Sequence, residues 1–403
     1  MGVVCGGVVG RPSIAMNFFI LCLALILIPF CLKFNFFPVS PNEIVDYRST
    51  KDFLGTLFCL AIFLTTSQIK IDNKKNLWLK ILIAYLLIHH WLVAKFEFDV
   101  PTDQMISNLW QYKPLAYVFI YVLLFWSVQA MTLCQSRLRI ILQVMAWMGF
   151  LSAVYLIIQY FGFDPWQVQS NTHVATQTRG ARMSSFYSHP NYAGSFIGWC
   201  IIPTLYLRKF LPALLMLVAV VLSKSVFALG ATIFGLAIYL GLINSHRFRI
   251  WFWALCGYAV YVTTLILILD HNFPEDSGRF NTWVTMIKDT APQLIYGFGL
   301  GSFAILFQSV HGGVWREAHN EILQFFFYET GLVGLLIFGK CVVEFFKQAV
   351  DKLRQNQENV AFFSIFCMMA FGSMGLFLLQ IDPHRFYIVM TLAILTNQSE
   401  GVR

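Results

Sequence analysis

Two arginines in polar segments of an otherwise apolar chain have the chemistry to bind a phosphate. Arg182 lies in RMSSFYSHPN, just before an apolar run, and Arg279 lies in DSGRFNTWVTMIKD. A guanidinium is permanently charged and presents a planar fork of N–H donors that matches phosphate oxygens. Arg279 falls in the first turn of a predicted amphipathic helix, where the helix dipole disfavours a cation unless an anion is bound. We expect an anion site, with an interfacial arginine that reaches lipid headgroups as an equal alternative for Arg182.

A histidine stands at the start of a long apolar helix in WREAHNEILQFFFYETGLVGLL. The segment places His319 and Asn320 just before the apolar run and Arg316 before them. An imidazole at a helix N-terminus suits the role of a general base. Glu329 follows in the same helix, where a carboxylate needs a partner. His319 is therefore a candidate base, with Arg316 and Asn320 as candidate substrate-binding residues.

Other polar or flexible positions lie near these segments. Asn191 stands at the threshold of the run that follows Arg182, and Lys224 lies at a hairpin in VLSKSVF. Both are candidate substrate-binding residues. The alternating glycines of IYGFGLGSF lack the Lys-Ser/Thr ending of a P-loop, so a flexible turn is the favoured interpretation.

We interpret two further groups of histidine and charged residues as structural and not as catalytic. His89 and His90 lie within an apolar run and indicate interior packing. Asp382, His384 and Arg385 form a short polar cluster that we interpret as interfacial. No group of residues has the spacing of metal ligands, so we expect a site without a metal or another cofactor.

The elements that position these residues are membrane-spanning helices. Of the 403 residues, 58% are hydrophobic and only 12% are charged, against about 25% charged in a soluble domain. Apolar runs long enough to cross a hydrocarbon layer of about 30 Å predict an all-α, polytopic membrane protein with about twelve transmembrane helices. The candidate spans lie near 14–32, 53–68, 77–94, 115–133, 138–161, 192–207, 211–222, 225–243, 250–269, 321–345, 360–380 and 385–397.

The charge distribution orients these spans. With a cytoplasmic N-terminus, basic residues outnumber acids in the inner loops, so the net charge of +8 is a positive-inside bias and not a nucleic-acid footprint. Both termini are then predicted inside. The outward face holds three longer loops, 95–114, 164–191 and 270–319, and is where we expect the site.

The chain resembles the O-antigen ligase and polymerase superfamily, whose members are bacterial inner-membrane transferases of lipid-linked glycans. Five separate pieces between Arg182 and Gly334 carry the resemblance, in the family's order: RMSSFYSHPNYAG, LSKSVFALGATIFG, SGRFNTW, YGFGLGSF and HNEILQFFFYETGLVG. Two positions depart from the family. Lys224 replaces an arginine, and ten residues instead of nine separate Asn320 from Gly331, so we expect a bulge or a shifted register in that helix.

The resemblance implies a chemistry without a metal ion. An acceptor hydroxyl would attack the anomeric carbon of a glycan linked to undecaprenyl diphosphate. Arg182 and Arg279 would hold the leaving diphosphate, and His319 would take the acceptor proton with support from Asn320. The substrate-binding candidates are Arg316, Asn320, Asn191 and Lys224.

The resemblance also implies an organisation and a place in the cell. Residues 1–163 would be N-terminal transmembrane helices, 164–346 a ligase-like core that includes the loop 270–319, and 347–403 C-terminal transmembrane helices. The protein would lie in the bacterial inner membrane with its site on the periplasmic face. Its partners would be the lipid-linked donor, a glycan acceptor and membrane lipid.

Several functions fit this pattern. An O-antigen ligase, with lipid A core as acceptor, is the favoured interpretation. A polymerase of O-antigen or exopolysaccharide and a protein-glycosylating enzyme of the same family are alternatives. A polysaccharide or lipid transporter is an alternative from another class, although the arginines cluster at one surface instead of the midplane that alternating access requires.

Overall fold

The described part of the chain is helical. A computed structural model describes residues 12–30, 47–66, 76–93, 104–164, 183–187, 189–243, 278–303, 321–353, 355–373 and 384–397, and no strand occurs among them. The first eight helices are α1 (Pro12–Phe30), α2 (Tyr47–Thr65), α3 (Leu77–Val93), α4 (Gln104–Ala130), α5 (Gln135–Tyr160), α6 (Pro190–Tyr206), α7 (Phe210–Leu222) and α8 (Val226–Ile243).

In the later part of the chain, one helical segment changes to a π-helical turn and then breaks. α9 (Gly278–Thr290) ends in a 3₁₀ turn (Ala291–Gln293), and α10 (Glu321–Leu323) continues as a π-helical turn (Gln324–Glu329). After a break at Thr330, the chain resumes as α11 (Gly331–Lys352), α12 (Gln357–Ser373) and α13 (His384–Thr396). The single span predicted for 321–345 is therefore divided in two.

The predicted spans otherwise coincide with helices. Most helices begin and end within a few residues of a predicted span, and α4 begins earlier, at Gln104. The span predicted for 250–269 lies outside the described residues, as does the end of the one predicted for 360–380. By length and composition, α5 and α8 could each cross a membrane, and shorter apolar segments lie in α1–α4, α7 and α13. The all-α class is confirmed, and the number of spans stays a prediction.

Helix α6 is the centre of the described structure. It packs against α5, α7, α8 and α12, and nearly all of its residues are buried. Small residues permit this close packing: a Cβ at Gly149 of α5 would lie 2.1 Å from the Cβ of Cys200, and one at Gly198 would lie 2.2 Å from Oγ1 of Thr232. The N-terminus of α6 is thereby held among other helices.

Gly149→Ala should destabilise the protein, because the added methyl group would collide with Cys200 in a filled core. Overpacking of this kind costs about 1–3 kcal/mol. Gly339→Ala is the control, since a Cβ there meets nothing within 4 Å and alanine favours a helix by about 1 kcal/mol over glycine. Thermal unfolding of the purified variants in detergent measures the difference, and equal midpoints for the two variants would contradict this packing.

Candidate functional site

The structure describes three of the seven predicted site residues, at least in part. Asn191 and Lys224 are described fully, whereas Arg279 is described by its backbone in the first turn of α9. Four predicted site residues lie outside the described residues: Arg182, Arg316, His319 and Asn320.

The segment that follows Arg182 is buried against α5. Ser185 has a left-handed backbone, with a φ of 51°, and it is fully buried. Its amide donates to Oε1 of Gln159 at 2.8 Å, and its hydroxyl donates to the carbonyl oxygen of Ser152 at 2.7 Å. Gln159 also donates to Asp164 at 3.2 Å. These bonds offset the conformational strain at Ser185 and fix the chain between Arg182 and α6.

Asn191 and Lys224 lie at the same end of neighbouring helices. His189 caps α6 by accepting the amide N–H of Asn191 at its Nδ1, at 3.1 Å, and Pro190 occupies the first helical position, which suits a residue without an N–H. One turn further on, a Cβ at Gly194 would lie 2.6 Å from Oγ of Ser223. The turn that carries Lys224 between α7 and α8 therefore packs beside the start of α6.

His384 and Arg385 are buried, so the interpretation of these two residues as interfacial is wrong. Asp382, the third member of that cluster, lies outside the described residues. The carbonyl oxygen of Tyr192 accepts a hydrogen bond from Nε2 of His384 at 2.9 Å, and the imidazole packs against aromatic rings of α6. The guanidinium of Arg385 lies 3.9 Å from the ring centre of Tyr117. A cation over an aromatic face is stabilised by the ring quadrupole. The sequence did not indicate this, because the stacking ring belongs to α4.

The alternating glycines form a turn, as predicted, and the turn is hydrogen-bonded to a helix break; its flexibility stays a prediction. Gly297, Gly299 and Gly301 have positive φ angles of 70°, 101° and 78°. Residues 297–301, here called the glycine loop, lie against the break between the π-helical turn and α11. The amide of Phe298 donates to the carbonyl of Tyr328 at 3.0 Å, and the amide of Gly299 donates to the carbonyl of Glu329 at 2.8 Å.

The same contact caps α11 in the opposite direction. The first amides of a helix have no partner within it. Here the amide of Leu332 donates to the carbonyl of Leu294 at 2.8 Å, and the amide of Val333 donates to that of Ile295 at 3.2 Å. The glycine loop thus donates hydrogen bonds to the end of the π-helical turn, while the residues just before the loop accept hydrogen bonds from the start of α11.

The π-helical turn is the first of the two alternatives, a bulge or a shifted register, that we expected from the departure from the resembled family's spacing. An extra residue within a helix is accommodated by such a turn. The turn ends at Glu329, which is 1% exposed, so its carboxyl group requires partners. It accepts the amide N–H of Gly301 at 2.9 Å and the side-chain amide of Gln324 at 3.4 Å. The partner expected for Glu329 is therefore the glycine loop together with its own turn.

Helix α9 packs against the π-helical turn. Met286 of α9, Phe303 and Tyr328 form a small buried cluster, joined by Trp283 and Leu323. Trp283 lies one turn after Arg279, and Leu323 lies in α10, which follows Asn320 directly. The main contacts of α9 within the described residues are with α10 and the π-helical turn, not with α6. We call α9, the glycine loop and the π-helical turn the loop unit.

The described residues offer no metal site, and the comparisons with known proteins give no match. Among the residues that the structure describes, no group of three or more His, Cys, Asp or Glu side chains could hold a metal ion. The chain matches no family model, curated protein or solved structure with which it was compared.

Gly297→Ala should destabilise the protein more than Gly162→Ala. Both glycines have positive φ, which costs alanine about 1–2 kcal/mol. A Cβ at Gly162 meets nothing within 4 Å, whereas one at Gly297 would lie 2.6 Å from the backbone nitrogen of Gly331. Comparison of the thermal unfolding midpoints of the two variants separates the cost of backbone strain from the cost of the steric collision. Equal losses of stability would show that the glycine loop does not lie on the helix break.

Proposed function

We propose that this chain is a multi-pass glycosyltransferase of the bacterial inner membrane that moves a glycan from undecaprenyl diphosphate to a hydroxyl group of lipid A core. This is the reaction of an O-antigen ligase. In this proposal both termini are cytoplasmic, the reaction takes place on the periplasmic face, and no metal ion or other cofactor takes part.

The main support is that the five sequence pieces behind the resemblance pack in two groups. In the first, Gly194 packs against Ser223 and Ala228, so the end of RMSSFYSHPNYAG lies beside LSKSVFALGATIFG. In the second, the glycine loop of YGFGLGSF lies on the helix break of HNEILQFFFYETGLVG, and α9 of SGRFNTW packs on the same turn. These contacts bring separate pieces of the resemblance together, as a shared site requires.

Exposed apolar side chains support the membrane location. On α7, Phe210, Leu211 and Leu214 are 70%, 69% and 57% exposed in the isolated chain. Large apolar surfaces of this kind mark contact with lipid or with another protein. Together with the length of α5 and α8, they favour a helical membrane protein.

The reaction needs positive charge beside the leaving diphosphate and a general base beside the acceptor hydroxyl. The acceptor oxygen forms a bond to the anomeric carbon while the bond from that carbon to the diphosphate oxygen breaks. His319 takes the proton of the acceptor hydroxyl. Undecaprenyl diphosphate leaves with both electrons of the broken bond, and Arg182 and Arg279 stabilise its negative charge. Helix α9 carries Arg279 as its second residue and packs against α10, which begins directly after Asn320.

A reconstituted transfer reaction tests the proposal. The purified protein in liposomes is given an undecaprenyl-diphosphate oligosaccharide with or without lipid A core, and products are resolved by gel and mass spectrometry. Glycan on the core is the expected result. Lengthened lipid-linked glycan without core would indicate a polymerase instead, and the absence of transfer across several donors would overturn the proposal and favour a transporter.

Arg279→Ala should reduce kcat by about 100-fold or more, the typical loss of one preorganised group at a developing charge. Arg279→Lys should recover only part of the rate, since an ammonium group lacks the planar fork. Lys288→Ala is the control, because Lys288 is exposed on the same helix, and it should transfer normally. Normal transfer by Arg279→Ala, with all variants inserted equally, would exclude Arg279 from the site.

A further inference from the structure

Helix α3 lies antiparallel against α11 and is fixed at both of its ends. Near its start, the backbone amide of Trp78 donates to the carboxylate of Glu344 at 3.3 Å. One of the first amides of α3 thereby gains a partner from α11. Further along, a ring carbon of Tyr85 would lie 3.2 Å from a Cβ at Gly334. The register between the two helices is therefore set by polar and close-packed contacts.

Two side chains of α3 bond to residues that directly flank the loop unit. Tyr85 and His89 are four residues apart, so they lie on the same face of the helix, and their ring centres are 5.3 Å apart. The hydroxyl of Tyr85 donates to the carbonyl of Thr330 at 2.7 Å. Nε2 of His89 lies 2.6 Å from the carbonyl oxygen of Tyr296. Since a carbonyl oxygen only accepts, Nε2 carries the hydrogen of this bond.

The two carbonyl groups that α3 binds have equivalent positions. Tyr296 directly precedes Gly297, and Thr330 directly precedes Gly331. Those two glycines both have positive φ, and a Cβ on either would lie 2.6 Å from the backbone nitrogen of the other. Helix α3 therefore bonds to the chain on both sides of the contact between the glycine loop and the helix break.

We infer that Tyr85 and His89 are positioning residues for the transfer reaction, an inference that depends on the proposed function. They bond to two residues that directly flank the loop unit, Thr330 and Tyr296. In the loop unit, α9 carries Arg279 as its second residue, and the π-helical turn continues α10, which begins directly after Asn320. A displacement of about 1 Å between reacting groups can cost about 100-fold in rate. Loss of either hydrogen bond lets the loop unit shift against α11 and misaligns the charged residues at its edge.

Four variants separate this role from a general loss of stability. Tyr85→Phe removes one hydroxyl, and His89→Ala removes the imidazole. His89→Gln is the rescue variant, because the side-chain amide nitrogen of glutamine occupies nearly the position of Nε2 and also donates. Tyr387→Phe is the matched control, since the hydroxyl of this buried tyrosine makes an equivalent bond, to the carbonyl of Leu25 at 2.7 Å, between α13 and α1.

The first measurement does not depend on catalysis. Hydrogen–deuterium exchange of peptides that cover residues 294–303 reports the amides of Phe298, Gly299 and Gly301, which are bonded to the helix end. Exchange should rise in Tyr85→Phe and in His89→Ala, return toward the wild-type level in His89→Gln, and stay unchanged in Tyr387→Phe. Unchanged exchange in the two α3 variants, or an equal rise in Tyr387→Phe, would overturn the inference.

The second measurement is transfer by the same variants in liposomes. Tyr85→Phe and His89→Ala should lower kcat by about tenfold or more with little change in KM, and Tyr387→Phe should keep the wild-type kcat. A normal kcat in the α3 variants despite faster exchange would overturn the positioning role. Failure of the wild-type protein to transfer glycan would instead overturn the proposed function, while the exchange data would still decide whether α3 holds the loop unit.

Discussion

The close approach of two glycine backbones is the constraint on which the candidate site depends. Gly297 and Gly331 meet with no room for a Cβ on either, and both use positive φ angles that glycine adopts without steric cost. This contact lets the chain before the glycine loop receive the first amides of α11, while the loop's own amides bond to the end of the π-helical turn. A side chain at either position would separate the two segments and leave several backbone groups without partners.

The π-helical turn and the buried carboxyl of Glu329 are consequences of the same contact. A carboxyl group inside a protein is costly unless hydrogen bonds replace its hydration. Glu329 meets this condition because its side chain accepts the amide of Gly301 while its backbone carbonyl accepts the amide of Gly299. The additional residue of the turn allows one residue to present both groups to the loop. A regular α-helix in this segment would rotate the following residues and change which groups face the loop.

The sequence predicts the helices better than it predicts how they meet. Apolar runs locate the helices, because the length of an apolar segment is a local property. The spacing between Asn320 and Gly331, compared with that of the resembled family, also leads to the expectation of a bulge or a shifted register. The hydrogen bonds of the glycine loop could not be predicted from its own sequence, since the carbonyl groups that accept them lie in a different motif. From the sequence, His89 is predicted to pack in the interior of the protein. Its hydrogen-bond partner, the carbonyl group of Tyr296, is known only once α3 is placed beside α11.

The division of the chain at residue 163 separates parts that contact each other in the fold. The resemblance covers Arg182 to Gly334 and assigns no role to the helices before it. Yet α3 packs along α11 and supplies hydrogen bonds to the carbonyls that precede both glycines of the close contact. A loop held only by its own segment could slide with α9, because a short helix with one small apolar cluster has little packing to resist displacement. Two donors on a long neighbouring helix, α3, oppose that displacement. In the proposed function, α3 would therefore help to orient the site although it lies outside the segment that carries the resemblance.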